Sequence, residues 1–379
     1  MTDDLLSPDE VRAALRAYFA DRPGLDETRL IRDGDPAVAG AGFDRERWRV
    51  LADEVGLLAM AAPEEADGLG LGLEHLTAAA EEAGASLYPG PFRASVLLAW
   101  ALRAGGAATS GGDLIGDPVG HAGGVMTGTA VAGVPQAFAS HVPGLRMDAE
   151  GRVSGEVRHV THGPAADVLL AVARAPHGPA AVLVPLGGER GSITRRAAGS
   201  VDLTATLGDL HLDAVPALPL SRPGDVATLA RIGDVARLLL AAEQVGGAQG
   251  CLDHAVGYAK IRSQFGRLIG VNQAIQHRCA GMAVDVVAAR ALVLAAARAI
   301  DAEDERAHLL VLLAKAEASQ VFGAAAEALI QVHGGIGFTW EHDAHLFYRR
   351  ERPTAVLDGQ PVRLRDTAVA SGCLSLLAG

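Results

Sequence analysis

Between Pro223 and Pro353 this chain contains no proline, although it has 18 in all and only Pro353 and Pro361 come later. An interior proline costs a helix about 3 kcal/mol, because it removes a donor and clashes with the preceding turn. A proline-free run of that length predicts helices. Inside it, VARLLLAAEQVGGAQGCLDHAVGYAKIR, QAIQHRCAGMAVDVVAARALVLAAARAI and ERAHLLVLLAKAEASQVFGAAAEALIQVH repeat apolar residues every three or four positions. That repeat gives a helix one buried face. With 344–376 as a fourth helix, residues 226–379 read as an antiparallel four-helix bundle.

The texture changes upstream. In 121–225, VSGEVRHVT and TATLGDLHLDAV alternate, while VLLAVAR and AAVLVPL are short apolar runs bounded by turn residues. This predicts a central antiparallel β-barrel or sandwich. Residues 1–120 read as helical again, with Ser7 and Glu10 spaced as a capping box. The expected class is thus a multidomain α+β chain: an N-terminal helical domain, a central β-domain and a C-terminal bundle.

Charge and cysteine content narrow the function. The net charge of −12 argues against general nucleic-acid binding, which needs a basic surface to displace counterions. Three cysteines, Cys251, Cys279 and Cys373, are too few and too scattered for a disulfide framework or a metal site. His254, His277, His333 and His345 also lack metal spacing, so no metal is expected. The start, MTDDLLSPDE, shows no secretory signal, and the longest charge-free stretch, 118–145, holds Gly, Pro, Ser and His and cannot span a membrane. The expectation is a cytoplasmic protein with no membrane span.

Two strings in the bundle are the most informative: YAKIRSQFGRLIGVNQAIQH (258–277) and QVHGGIGFTWEHDAHLFYRR (331–350). Arg262 and Gln264 offer a fork and an amide just before Phe265-Gly266, a helix end able to grip phosphates and stack on a ring. The bland alternative is an exposed arginine and a core phenylalanine at a turn. Gly334, Gly335 and Gly337 would let backbone approach a pyrophosphate, or make a plain helix–helix turn.

Taken together, the strings resemble the acyl-CoA dehydrogenase family of flavoproteins, with its Y-A-x-x-R-x-x-F-G-x-x-I-x-x-x-Q-A-I and Q-x-x-G-G-x-G-F patterns. The segment ADEVGLLAMAAPEEADGLGLG (52–72) is similar to the family's E-x-G-L-x-x-x-x-x-P-E-E-x-G-G-L-G, with Asp67 at the first glycine. The likeness covers almost the whole chain and is weakest at 105–150. It implies FAD between barrel and bundle, partly reaching a neighbouring subunit. It also implies an acyl-CoA substrate, electron-transfer flavoprotein as acceptor, and a homotetramer or heterotetramer. Arg262, Gln264, Phe265, Gln273, Gln331, Gly334, Gly335 and Gln360 match cofactor-contacting stretches. VRHVTHG (157–163) is similar to the family's K-x-W-I-T-N-G strand, which gives Thr161 a hydroxyl toward flavin N5 and puts His159 where a shielding ring sits.

The implied reaction is α,β-dehydrogenation: a carboxylate takes the α-proton while the β-hydrogen leaves as hydride to the flavin. Here the chain departs from the family. The Y-E-G-T-like segment becomes VLDGQ (356–360), so Asp358 stands at one location of the base, and Ala236 stands at the other. Aspartate reaches about 1.5 Å less far than glutamate, and about 1 Å of misplacement can cost about a hundredfold. Asp358 is then a repositioned base or a turn residue in Asp-Gly. Asp234 and Arg237 match positions beside the thioester and pantetheine, or form an ordinary intrahelical pair. Glu243 resembles a structural glutamate, and DAEDER (301–306) reads as a solvated loop. GTAVAGVPQAFAS (128–140) lacks the family's T-E-P-x-A-G-S string. Three functions remain open at this point: an acyl-CoA dehydrogenase, a catalytically deficient partner subunit of a heteromeric one, or a flavin enzyme of other chemistry on the same fold.

Overall fold

The computed structural model describes residues 6–62, 68–104, 127–136, 138, 144–187 and 191–371. Asp67, Cys373 and most of 105–143 lie outside the described residues. The N-terminal part builds helices α1 (Pro8–Asp21), α2 (Gly24–Asp33), α3 (Pro36–Ala39), α4 (Arg45–Arg49), α5 (Leu57–Ala61), α6 (Leu73–Ala85) and α7 (Phe92–Ala104). The Ser7–Glu10 capping box is formed in both directions. Helix α6 starts at Gly72, which has no capping side chain, and Asp301 supplies one: its Oδ2 accepts from Leu73 N at 2.7 Å. The DAEDER loop is mostly solvated, but its first residue thus caps a helix of another domain.

The strands are β1 (Ala132–Pro135), β2 (Leu145–Met147), β3 (Arg152–Thr161), β4 (Val168–Ala175), β5 (Gly178–Pro185), β6 (Ser192–Ala198), β7 (Leu207–Pro216) and β8 (Leu218–Pro219). They form one sheet in the order β6-β7-β3-β1-β4-β5-β8, with β2 also between β3 and β4. Most pairings are antiparallel as expected, but β1 and β2 each run parallel to β4. Strands β4 and β5 read as unbroken apolar runs because both their faces are covered. Leu169, Ala171, Val182 and Val184 enter the sheet's own core, while Val168, Leu170, Ala181 and Leu183 join the large core shared with the helices.

The bundle consists of α8 (Val226–Ile261), α9 (Gln273–Asp301), α10 (Ala307–His333), α11 (Ala344–Val356) and α12 (Pro361–Ala370). The expected fourth long helix is therefore two. It breaks where Asp358 (φ 53) and Gly359 (φ 129) turn left-handed and Pro361 opens the next helix at its first position. Between α8 and α9 lies a small antiparallel hairpin, β9 (Ser263–Gln264) with β10 (Arg267–Leu268), turned by Phe265 and Gly266 at φ 53 and 74. Strand content this short was not expected inside the bundle. By length and composition, Gln273–Asp301 and Ala307–Phe338 would suffice to cross a membrane. In the second, 67% of the most apolar 18-residue window is buried and the helix is the bundle's core; in the first only 28% of that window is, so α9 carries an open apolar face.

Candidate functional site

A cavity lies where the sheet meets the bundle. Its walls are Gln136 and Thr161 from the sheet, Arg93 from α7, Glu243 from α8, and Arg350, Thr354 and Leu357 from and just after α11. Strand β3 delivers Thr161 there, pinned in register against Val134 of β1 and Leu207 of β7. Its Oγ1 is buried without a hydrogen-bond partner among the described residues. Beside it, His162 is buried against Phe43 in an edge contact of 5.4 Å, also lines the cavity, and is held neutral. Burial, then Arg350 and Arg93, push its pKa down to about 3.

The cavity's charges are interlocked. Arg350 donates to Asp202 Oδ2 (3.1 Å), Thr204 Oγ1 (2.8 Å) and Glu243 Oε2 (3.4 Å). Arg93 places Nε 3.6 Å from Glu243 and Nη1 3.9 Å from Asp358. Sequence reasoning missed Arg93, His162, Asp202, Arg350 and Lys315, and gave Glu243 only a structural part. Lys315 alone carried a visible signal, as a single cation in the apolar run VLLAKAEA.

Asp358 sits just past the cavity wall. Its side chain is fully buried, its carboxylate faces Arg93, and its backbone carbonyl accepts from Arg237 Nε at 3.1 Å. Leu357 rather than Asp358 lines the cavity. Ala236 is buried in the core. Asp234 and Arg237 do pair (3.2 Å), and both Asp234 oxygens also meet His308 Nδ1 at 2.9 Å. The intrahelical pair is thus part of a three-residue cluster.

The other marked residues assemble elsewhere. Tyr258 stacks on His333 at 4.1 Å, which joins the end of α8 to the end of α10. Around that contact Arg262, Gln264, Phe265, Gln273, Gln331, Gly334 and Gly335 are all exposed, Phe265 completely so. Phe265 is the tip of the hairpin and not a core residue. None of these lines the Thr161 cavity. His159 is exposed on a bulge of β3 at φ 51, its N–H bound to Asp209. Gln360 is exposed at the start of α12. Among the described residues no cluster of His, Cys, Asp and Glu is suited to a metal.

This division, an enclosed cavity and a separate exposed end, accompanies a clear kinship. The acyl-CoA dehydrogenase N-terminal domain pattern matches residues 10–109, and the C-terminal domain pattern matches 229–370. The acyl-CoA dehydrogenase IpdE2 of Mycobacterium tuberculosis is 31% identical over 363 residues, covering 94% of this chain and 95% of its own. The chain belongs to the acyl-CoA dehydrogenase family. Among solved structures, a variant of the Tcur3481-Tcur3483 steroid ACAD superposes with a TM-score of 0.80 at 29% identity, over 97% of this chain and 98% of the other. The ChsE4-ChsE5 complex from Mycobacterium tuberculosis shares the fold, with a TM-score of 0.79 at 24% identity over 97% of each chain. The family's helix, sheet and helix order is the one found here.

Proposed function

We propose that this chain is an FAD-binding subunit of an acyl-CoA dehydrogenase assembly in the cytoplasm, acting in α,β-dehydrogenation of an acyl-CoA thioester with the proton-accepting glutamate on a related partner chain. The setting of Asp358 carries the reading. Its fully buried side chain points at Arg93, outside the cavity wall, and the alternative position holds Ala236. A proton acceptor must come within hydrogen-bond reach of the proton it takes.

The residues present suit FAD. Thr161 lines the cavity, and its Oγ1 is a buried donor without a partner among the described residues, which suits a hydrogen bond to a flavin ring. The exposed Arg262 and the Gly334–Gly335 backbone suit phosphates and Phe265 suits a ring, at an end of the bundle that a second subunit would complete. When bound, FAD accepts the substrate's β-hydrogen as hydride. Thr161 would orient the ring, and Arg262 would neutralise phosphate charge. The open apolar face of α9, with Val284 and Val287 exposed, supports a tetrameric assembly. The ChsE4-ChsE5 complex among its structural neighbours supports a heteromeric one. Electron-transfer flavoprotein is the proposed acceptor.

A second reading, a self-sufficient dehydrogenase with Asp358 as base, is favoured by the position of Asp358 directly after the cavity-lining Leu357. Anaerobic addition of an acyl-CoA panel separates the two. Purified alone, the chain should leave any bound flavin oxidised; in the assembly, Asp358→Asn should reduce flavin at a rate within about threefold of the parent. A loss of about 10²–10⁴ on Asp358→Asn would instead identify it as the base.

Arg262 gives a separate prediction. Arg262→Ala should weaken FAD retention by about 1.5–3 kcal/mol, the worth of a charge-assisted contact, with little change in thermal stability because the side chain is exposed. Flavin-to-protein absorbance ratios and a melting curve measure both. Equal flavin content would remove Arg262 from the cofactor site.

A further inference from the structure

Lys315 is fully buried in the middle of α10, with no carboxylate in hydrogen-bond contact among the described residues. Its Nζ instead donates to Ser319 Oγ (2.8 Å), Thr354 O (3.1 Å) and Ala355 O (3.3 Å). The two carbonyls belong to the last turn of α11, where backbone acceptors have no helical partner. Gln244 of α8 reaches the same place: its Nε2 donates to Thr354 O at 3.0 Å, and its Oε1 accepts from Ser319 Oγ at 3.1 Å. Side chains from α8 and α10 thus converge on the end of α11. The next residues, Leu357–Gln360, form the turn whose first member lines the cavity.

We propose that Lys315 is a positioning residue of the reaction site: by binding the terminal carbonyls of α11 it sets where that helix stops, and so how the Leu357–Gln360 turn meets the cavity. The role rests on the proposed function, which puts the reaction at that cavity. A lysine is an odd choice for a purely structural cap at full burial, since an amide or hydroxyl would bind carbonyls without the cost of desolvating a charge. What the ammonium adds is a third N–H, and all three of its donors are used here.

That arithmetic makes the anchor sensitive to pH. Burial lowers the Lys315 pKa to about 7; Asp358 on the turn and Glu351 on α11 raise it, and Arg93 on α7 and Arg237 on α8 lower it. Below this value the ammonium serves three acceptors. Above it the neutral amine has two N–H groups for the same three acceptors, so one of the three contacts is lost. The end of α11 is then held by fewer contacts as pH rises through about 7.

Amide hydrogen exchange on the assembled protein reads this without reference to catalysis. Protection factors for 355–360, corrected for intrinsic exchange, should fall about three- to tenfold between pH 6 and pH 8.5. In Lys315→Met they should be low and constant with pH. Ser319→Ala removes one acceptor and leaves the lysine; it gives a second, milder variant whose protection should lie between the two. Protection that is flat with pH in the parent, or unaltered in both variants, overturns the proposal. The pH–rate profile of flavin reduction tests the site itself: Lys315→Met should lower kcat and erase a limb near pH 7, with KM for acyl-CoA within about twofold. An exchange effect with an unchanged profile would sink the placing of the reaction at this turn while leaving Lys315 as the anchor of α11.

Discussion

Replacing Arg350 with leucine is expected to cost about 3–5 kcal/mol of folding stability, the range for removing one member of a buried ionic cluster. Arg350 is the partner of Asp202 and Glu243, which are only 4% and 7% exposed, and it ties the sheet-side loop of Asp202 and Thr204 to the bundle. Leucine fills part of the space but leaves two buried carboxylates with less counter-charge. Urea unfolding of Arg350→Leu should show the loss. Adding Asp202→Asn and Glu243→Gln should recover part of it, because the stranded charges go with the arginine. A loss under about 1 kcal/mol, or no recovery, would mean that the cluster is solvated and contributes little.

The second large effect is expected from a single methyl group. Helices α6 and α8 touch through glycines: a Cβ on Gly246 would lie 1.9 Å from Glu81 O, and one on Gly84 would lie 2.1 Å from Glu243 O. Both obstacles are backbone atoms, so no side chain can swing aside. Gly246→Ala should force the helices apart and cost about 3 kcal/mol, the upper end for overpacking. It should also shift Glu243, one turn away, and so disturb the cavity. Gly257→Ala, on the same helix with nothing within 4 Å, is the control. It should stabilise the protein by up to about 1 kcal/mol, from helix propensity alone. Thermal melts of the two variants moving in the same direction would refute the close-contact account.

Much of the architecture was legible because it is written in local pattern. The missing prolines marked α8, α9 and α10, and the two apolar runs marked β4 and β5. The break between α11 and α12 was only half read: Asp358-Gly359 was weighed as a turn pair, yet 344–376 was taken as one helix although Pro361 is a helix opener. The charge cluster was not. Arg93, Asp202, Glu243 and Arg350 come from four distant stretches, and no periodicity links an arginine to a carboxylate more than a hundred residues away. Lys315 stood out as a lone cation in an apolar run, but its partners did not, since two of the three are backbone carbonyls with no side-chain signature. The exposed end with Arg262 and Gly334 was the opposite case, since contiguous strings supply it and only the Tyr258–His333 contact had to join them.

The glycine seam between α6 and α8 also has a consequence in time. The large core runs from Val11 through α6 and α8 to Phe347, whereas the inner core of the sheet draws only on residues 145–215. As the chain leaves the ribosome, the sheet can close on itself as soon as it has emerged. The N-terminal helices cannot, because Gly84 has no surface to meet until Gly246 has been made, roughly 10–30 s later at about 5–20 residues per second. Through that interval an alanine- and leucine-rich face stands uncovered in the cell. A holdase that binds nascent chains would find its target in α6 and α7, and would have to release them when α8 arrives.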